Sequence, residues 1–385
     1  MDASLTYEQL SLKETVADFC MRECPPEDIR DWERTGEFPR GVWQKLATTG
    51  VAGLAFSEEY GGGGGSVVDE AIVMQTLSHW ANPLANVFLT TVSFGGYSIE
   101  NFGSAEQKRA LLPRLAEGDL IMAFALTEPG GGTDVLRNIR TTARRDGDEF
   151  VINGQKIFST SADVADLLVV VTRTGEGTRP RDGLTILLVD PRAPGVEIHP
   201  QEKAGNSPPH SCTIFFSDVR VPASNVLGAV DDGWRNLVGT LNNERILIAA
   251  ECVGLGQAAV EHAVDYVRQR EAFGRPISEF QSIRHHLATA RMEMDAAELQ
   301  MLKAAWLQTQ GRPCALDAVM AKYYAAEAGV RATSRAMQVL GGHGYVSDHP
   351  IERHWRDVRL YTLGPITSEM CLNQIGESLG LPRSY

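Results

Sequence analysis

The sequence predicts an α+β fold in which an N-terminal helical domain, a middle β-barrel-like domain and a C-terminal helical bundle follow one another. Apolar residues recur every three or four positions in the first and last parts of the chain, and every second position in the middle part. β-branched runs separated by Gly, Pro and Asp mark the middle part. We therefore expect domains at residues 1–120, 121–231 and 232–385.

The first domain is predicted to be a set of packed helices. Val16 and Phe19, and later Trp43 and Leu46, repeat at the spacing of one helix face. Five consecutive glycines at residues 61–65 follow no strand and precede no Gly-Lys-Ser/Thr sequence. The glycine run therefore predicts a loop between helices rather than a phosphate-binding turn.

The middle domain is predicted to be a small β structure. Its strands are expected around four runs rich in Val, Ile, Leu and Phe, at residues 150–152, 167–171, 184–189 and 213–216. Helical periodicity returns from Gly233 to about Gly376. Glycines near helix ends predict that helices of this last domain stop close to Gly274, Gly311 and Gly341.

The composition is that of a globular protein, with 43% hydrophobic and 22% charged residues. A net charge of −13 disfavours nucleic acid and anionic membranes as partners. We find no apolar run of the ~18 residues that a membrane span needs, and no basic segment followed by an apolar one at the start. We expect a soluble, cytoplasmic protein. Six scattered cysteines lack the paired spacing of a zinc site and are expected to be reduced.

The most informative motif is the run ALTEPGGGTD at residues 125–134, where an apolar strand enters a triple-glycine turn. Glycines allow backbone N–H groups to approach a ligand closely, and Thr127 and Thr133 add hydroxyls at the same rim. Taken alone, the run is also typical of a turn that closes a β-hairpin. It closely resembles the flavin-binding signature of the acyl-CoA dehydrogenase family. Other family-like segments follow in the expected order over essentially the whole chain, and the family has the same α, β, α domain order.

This resemblance implies that the cofactor is FAD. The run GQKIFST at residues 154–160 resembles the family's second flavin contact, with Phe158 in place of the usual tryptophan and Thr160 near the reactive flavin nitrogen. The run REAFG at 270–274, with Phe280 and Gln281, resembles the segment that reaches the cofactor's pyrophosphate and adenine from a neighbouring subunit. The run QVLGGHG at 338–344 resembles the glycine turn that receives the other side of the cofactor. The implied FAD contacts are Phe124, Leu126, Thr127, Gly132, Thr133, Phe158, Thr160, Arg270, Phe273, Gln281, Gln338, Gly341, Gly342, Thr367 and Glu369.

The family pattern also bears on assembly and on metals. An arginine offers a forked, permanently charged set of donors that suits a pyrophosphate. In the family the segment that carries Arg270 reaches the flavin of a neighbouring subunit, so the resemblance implies a homotetramer. His343, His349 and His354 fall where the family has a structural turn and a helix. We therefore predict no metal site.

The chemistry of acyl-CoA dehydrogenation needs a carboxylate that removes the α-proton of the thioester. Many members place this glutamate just before Gly-Thr-Ser, but here the stretch LGPITSEM at residues 363–370 puts Pro365 at that position. Isovaleryl-type and long-chain-type members instead carry the glutamate on a helix, directly before an arginine. The run LNNER at residues 241–245 matches that pattern, so the resemblance implies that Glu244 is the base. It further implies that Asn242, Arg245 and Thr133 contact the acyl-CoA.

Helical periodicity supports the inward direction of Glu244 independently. The residue lies on the stripe formed by Leu237, Leu241, Ile248, Cys252 and Leu255. Burial among apolar side chains is expected to raise the pKa of its carboxyl and make it a stronger base. The alternative is that Glu244 merely balances a cation inside the bundle.

Two departures from the family pattern leave other activities open. Proline has no N–H, so Pro365 cannot supply the oxyanion donor that this loop normally gives, unless Ile366 donates instead. Loss of one such donor typically reduces the rate by about 10²- to 10³-fold. Residues 204–211 also differ from the usual arginine, serine and threonine near CoA. Three hypotheses follow: a dehydrogenase that passes electrons to an electron-transfer flavoprotein, a flavin monooxygenase or reductase acting on a non-CoA or carrier-bound substrate, and a non-catalytic partner subunit.

Overall fold

A computed structural model describes residues 4–176 and 179–383. The first domain of the protein is helical. Its helices are α1 (Tyr7–Glu23), α2 (Pro26–Thr35), α3 (Arg40–Ala47), α4 (Val67–Trp80), α5 (Asn82–Phe88), α6 (Tyr97–Phe102) and α7 (Ala105–Ala116), with a π-helix at Leu89–Gly96 between α5 and α6. Helices α1, α4 and α7 each begin with a capping box, in which Thr6, Ser66 or Ser104 accepts a backbone N–H. Val16, Phe19, Trp43 and Leu46 are all buried, as their spacing predicts.

The middle domain is one twisted sheet. Its strands are β1 (Met122–Ala125), β2 (Thr142–Asp146), β3 (Glu149–Thr160), β4 (Leu167–Arg173), β5 (Leu184–Val189), β6 (Val196–Gln201), β7 (Ser211–Pro222) and β8 (Val226–Leu227). The hydrogen-bonded order is β6-β7-β3-β2-β4-β5-β8, with β1 parallel to β4. The four predicted strand runs lie in β3, β4, β5 and β7, so that prediction is confirmed.

The last domain is a bundle built around one long helix. Its elements are α8 (Gly233–Gln269), the hairpin β9 (Glu271–Ala272) and β10 (Arg275–Pro276), α9 (Gln281–Thr309), α10 (Ala315–Leu340), α11 (Ile351–Arg359) and α12 (Ser368–Ser378). Helix α8 is long and apolar enough to cross a membrane by length and composition alone, and 83% of that apolar window is buried inside the protein. It packs against α4, α9, α10 and α11. The close approach to α4 requires Gly254, since a Cβ there would lie 2.2 Å from the carbonyl oxygen of Gln75.

One predicted helix end is wrong. Helix α8 ends at Gln269, because Arg270 already has extended backbone, and Gly274 instead occupies the turn of the β9–β10 hairpin with φ +77°. The other two predictions are confirmed. Helix α9 ends at Thr309, close to Gly311, and α10 ends at Leu340, where Gly341 takes a φ of +60°.

A buried polar cluster joins the three domains. The side chain of Asn82 in α5 donates to Oδ1 of Asn206 at 2.8 Å, and Nδ2 of Asn206 donates to the backbone oxygen of Asp357 at 2.8 Å. The hydroxyl of Tyr361 donates to Glu251 on α8. Burial raises the pKa of Glu251 to about 8, even though that hydroxyl favours the ionised form. The cluster fixes α8 relative to the other two domains because each buried polar group needs its partner.

Candidate active site

Helix α8 presents Glu244 at the edge of the bundle core. Its neighbours on the same stripe, Leu237, Ile248 and Cys252, are buried, while Glu244 itself is half-buried. Burial raises the pKa of its carboxyl to about 7, although the charges of Arg245 and Lys322 oppose that shift. Among the described residues, none donates a hydrogen bond to this carboxylate. A free carboxyl with a pKa near neutrality can take up a proton at physiological pH.

The loop at residues 361–366 is tied to the same region by a buried lysine. Nζ of Lys322 on α10 donates to the backbone oxygens of Tyr361 and Ile366. Pro365 lies between them and has no N–H to offer. Within the part of the chain that the structure describes, the backbone N–H of Ile366 has no hydrogen-bond acceptor. Ile366 can therefore serve as the donor that Pro365 cannot be.

The predicted substrate contacts Asn242 and Arg245 lie together on α8. Nη1 of Arg245 donates to Oδ1 of Asn242 at 3.3 Å, one helical turn apart. Thr133, the third predicted contact, is exposed on the glycine turn of the middle domain. No hydrogen bond between described residues joins Thr133 to Glu244. The structure thus brings two of the three together.

A second buried carboxyl near this site is one that the sequence analysis missed. Glu70 on α4 is 3% exposed, and its Oε2 accepts from Nδ2 of Asn243 and from Oγ of Ser93, each at 3.3 Å. Burial raises the pKa of Glu70 to about 7, although both donors oppose the shift. The available signal was a carboxylate that directly precedes the apolar run 71–74 within a helix.

In the middle domain, the two motifs predicted to contact the flavin lie side by side. The backbone N–H of Ile157 donates to the oxygen of Thr127 at 2.8 Å, and Nζ of Lys156 donates to the oxygen of Leu126 at 3.0 Å. Phe158 follows directly in β3, so the glycine turn after β1 lies beside the aromatic residue. We call the region formed by Thr127, Phe158 and Thr160 the Phe158 edge.

A buried ion pair, also missed by the sequence analysis, holds the glycine turn in place. Nζ of Lys156 lies 2.7 Å from Oε1 of Glu128, with side chains 0% and 7% exposed. Glu128 also accepts the backbone N–H groups of Arg140 at 2.8 Å and Thr141 at 3.0 Å. Burial lowers the pKa of Lys156 to about 8. Burial opposes ionisation of Glu128 as well, but Lys156 and the two N–H groups outweigh it and keep the pKa of that carboxyl below its ordinary value.

Phe158 has the form of a ligand contact rather than a core residue. Its side chain is 63% exposed, and its φ of 56° lies in the left-handed region that a bulky residue rarely adopts. The pairing of β3 with β7 shifts register between Lys156 and Ser159, which turns the ring out of the sheet. On the same edge, Thr160 lies 3.0 Å from the hydroxyl of Ser211. The ring of Phe124 lies 5.8 Å from that of Phe94. An exposed ring beside an open glycine turn fits a flat aromatic cofactor.

The remaining predicted FAD contacts are exposed, except for the half-buried Thr367, and lie in three groups: beside Gln338, on the β9–β10 hairpin and at the start of α12. Gln338 and Gly341 line a hollow of about 470 Å³ together with Ser334, Met337, Tyr345 and Trp355. A Cβ at Gly132, Gly341 or Gly342 would meet nothing within 4 Å, so these backbones are open to a ligand.

The other two groups of predicted FAD contacts lie at the β9–β10 hairpin and at the start of α12. Arg270, Phe273 and Gln281 lie on or beside the hairpin, with Phe273 95% exposed. Thr367 caps α12 by accepting the N–H of Met370 at 3.2 Å, and Glu369 is exposed in the first turn. Within the described residues, no hydrogen bond joins these groups to the Phe158 edge.

The histidines of the last domain and the cysteines form no metal cluster in the described residues. His343 and His349 contact each other and Tyr266, with ring centroids 5.8 Å apart in each case. No three His, Cys, Asp or Glu side chains in residues 4–176 and 179–383 are grouped so that they could hold a metal ion. All six cysteines are free and buried.

Comparison with known proteins covers all three domains. Family models for the N-terminal, middle and C-terminal domains of acyl-CoA dehydrogenase match residues 6–119, 123–219 and 231–380. The chain is 38% identical over 371 residues to the probable acyl-CoA dehydrogenase YngJ of Bacillus subtilis, covering 96% of this chain and 97% of that protein.

Solved structures of similar proteins match this chain over nearly its whole length. The butyryl-CoA dehydrogenase of Megasphaera elsdenii superposes with a TM-score of 0.93 at 33% identity, covering 99% of this chain and 100% of that one. A chain from the structural study of the electron transferring flavoprotein of Acidaminococcus fermentans gives a TM-score of 0.93 at 32% identity, with 100% of both chains covered. The chain therefore belongs to the acyl-CoA dehydrogenase family.

Proposed function

We propose that this enzyme dehydrogenates an acyl-CoA between its α and β carbons, with Glu244 as the base that removes the α-proton. Its cofactor is FAD, which when bound supplies the acceptor for the hydride that leaves the β carbon. The observation that carries the proposal is the state of Glu244. It is a half-buried carboxyl, without a hydrogen-bond donor among the described residues, whose pKa burial raises to about 7.

Two other buried carboxyls are less suited to this role. Glu70 is 3% exposed and already accepts two hydrogen bonds, while Glu251 is 0% exposed and accepts one from Tyr361. A base must lie within hydrogen-bond reach of the proton that it removes, and that reach requires access to the substrate. Of these three carboxyls, Glu244 combines a raised pKa with partial exposure and a vacant oxygen.

The remaining roles follow from position. We assign Arg245 and Asn242, which are joined at 3.3 Å on the same helix, to placing the thioester arm. Thr133 on the glycine turn is proposed to contact the substrate from the middle domain. The N–H of Ile366, which has no acceptor among the described residues, is proposed to hold the thioester oxygen as negative charge develops, because Pro365 cannot.

We also propose a homotetramer that passes electrons to an electron-transfer flavoprotein. Phe273 is 95% exposed. The hollow of about 470 Å³ beside Gln338 is lined by residues of the last domain and by none of the residues of the Phe158 edge. Both features fit cofactor contacts that are shared between subunits. Light scattering of the purified holoenzyme tests the tetramer. A cytoplasmic location is proposed from the six free, buried cysteines, and cell fractionation tests it.

The activity is tested by mixing the holoenzyme anaerobically with butyryl-, isovaleryl- and octanoyl-CoA and recording the visible spectrum. We expect loss of the oxidised flavin absorbance with at least one of these thioesters, and formation of the enoyl-CoA. The same acyl groups on acyl carrier protein form the matched comparison. If only the carrier-bound substrates bleach the flavin, the natural substrate is an acyl group on a protein carrier and not on CoA. Oxygen consumption with a hydroxylated product would instead establish a monooxygenase.

A further inference from the structure

Lys322 is a fully buried lysine whose environment is unusual. It lies on α10 with 0% exposure, and the two hydrogen bonds of its ammonium go to the backbone oxygens of Tyr361 and Ile366. Among the described residues, no carboxylate lies within salt-bridge distance of it. A buried ammonium whose hydrogen bonds go to carbonyl oxygens and not to a carboxylate is expensive, and such groups concentrate at functional sites.

The two carbonyls stand at the two ends of the loop that carries Pro365. The ammonium therefore spans the loop and fixes both ends relative to α10. Lys322 holds the carbonyl oxygen of Ile366 and so anchors the residue whose own N–H, in the preceding peptide group, has no acceptor among the described residues.

The charged and titratable groups that face Lys322 come from three helices. Glu244 and Cys252 on α8, Glu327 on α10 itself and Cys371 on α12 act on the ammonium of Lys322, and the charge of Lys322 in turn acts on Glu369 of α12. Burial lowers the pKa of Lys322, and the first four groups partly restore it. The effect on Glu244 is reciprocal, since the positive charge of Lys322 favours the ionised carboxylate.

We propose that Lys322 is a positioning residue of the dehydrogenation reaction, which holds the 361–366 loop in place and presents a positive charge to the carboxyl of Glu244. This inference rests on the proposed role of Glu244 as the base. The first part of the lysine's role is geometric, because Lys322 anchors Ile366, the residue whose N–H is the proposed oxyanion donor. The other is electrostatic, because it favours the ionised form of the base at neutral pH.

A second lysine in the chain provides a matched control. Nζ of Lys203 likewise donates to two backbone oxygens, those of Asn206 and Pro209, in another proline-containing loop. Burial lowers the pKa of Lys203 to about 8, and the charges that oppose this shift are those of Asp357, Asp163, Cys212 and Glu251, with Glu244 not among them. Replacing Lys203, which is half-buried, removes a cation and two hydrogen bonds but leaves in place the charge of Lys322 that acts on Glu244.

The test compares Lys322→Met, Lys322→Arg and Lys203→Met as purified holoenzymes, using an acyl-CoA that reduces the native enzyme. The readouts are flavin content, thermal unfolding midpoint and the pH profile of kcat/KM. For Lys322→Met we expect the rising limb of the profile to move upward by about one pH unit or more, because the charge that favours ionised Glu244 is gone. We also expect kcat to fall roughly 10- to 100-fold from the displaced loop. Lys322→Arg should keep the limb in place.

The outcomes separate a positioning role from a merely structural one. Lys203→Met is expected to lower the unfolding midpoint while leaving the rising limb where it is. A Lys322→Met enzyme with an unshifted limb, or an equal shift in both methionine variants, would overturn the proposal. If Lys322→Met does not fold, Lys322→Gln, which is neutral but can still donate, carries the same expectation. Normal turnover by a Glu244→Gln enzyme would instead show that Glu244 is not the base. That failure of the proposed function is measured separately from the lysine variants.

Discussion

Replacing Glu244 with glutamine is expected to slow anaerobic reduction of the flavin by an acyl-CoA by about 10²- to 10⁴-fold, the usual contribution of a general base. Glutamine keeps the size of the side chain but cannot accept the α-proton. No described residue donates a hydrogen bond to this carboxylate, so the amide leaves no donor unpaired. The variant should therefore fold and retain FAD. Stopped-flow absorbance at the flavin band measures the rate.

The pH dependence of the native enzyme provides an independent check. Burial raises the pKa of the Glu244 carboxyl to about 7, and only the ionised form accepts a proton. The value of kcat/KM should therefore rise with pH through about 7 and level off above it. In the glutamine variant this limb should disappear from the residual activity.

Glu70→Gln is the matched control for the Glu244 variant. Glu70 is another carboxyl whose pKa burial raises to about 7, but it is 3% exposed and already accepts two hydrogen bonds. Its loss should leave the rising limb of the profile intact. Equal rates for the native and Glu244→Gln enzymes, or loss of the limb in the Glu70 variant alone, would show that another group is the base.

Replacing Lys156 with methionine is the change expected to have the largest effect on stability and on FAD retention. The variant leaves the carboxylate of Glu128 buried without its cation, and breaking a buried pair in this way typically costs about 3–5 kcal/mol. Glu128 accepts the N–H groups of Arg140 and Thr141, and Lys156 also holds the backbone oxygen of Leu126. The glycine turn should lose its anchor. Denaturant titration measures the stability, and the absorbance of the gel-filtered protein measures the bound FAD.

Two comparisons test the physical reason for this expectation. The double variant Glu128→Gln/Lys156→Met removes both charges and should recover part of the lost stability, because no ion then remains buried alone. Arg220 and Glu149 form an exposed pair at 2.7 Å, with side chains 57% and 42% exposed. Arg220→Met should change stability by only about 0–1 kcal/mol. A Lys156 variant that behaves like the Arg220 variant would contradict the anchoring role of the pair.

Much of the fold and part of the site could be predicted from the sequence, because those features have local signals. Periodicity identified the helical and β regions, and the stripe on α8 indicated that Glu244 faces inward. The glycine turn at residues 125–134 and the Arg270 and Gln338 segments were recognisable as short motifs. Their roles in binding FAD remain predictions. The end of α8 was misplaced because a glycine with positive φ serves a hairpin turn as well as a helix end.

The order of domains, the family and the candidate base can be recognised without a structure, since residues a few positions apart carry that information. The partners of the buried charges cannot, because they come from distant parts of the chain. Lys156 meets Glu128 across 28 positions, Lys322 meets Tyr361 across 39, and Asn243 meets Glu70 across 173. A charge or a polar group in a dry interior must be paired, but the pairing depends on which distant segments the packing brings together. Periodicity and local motifs do not show which distant segments come into contact.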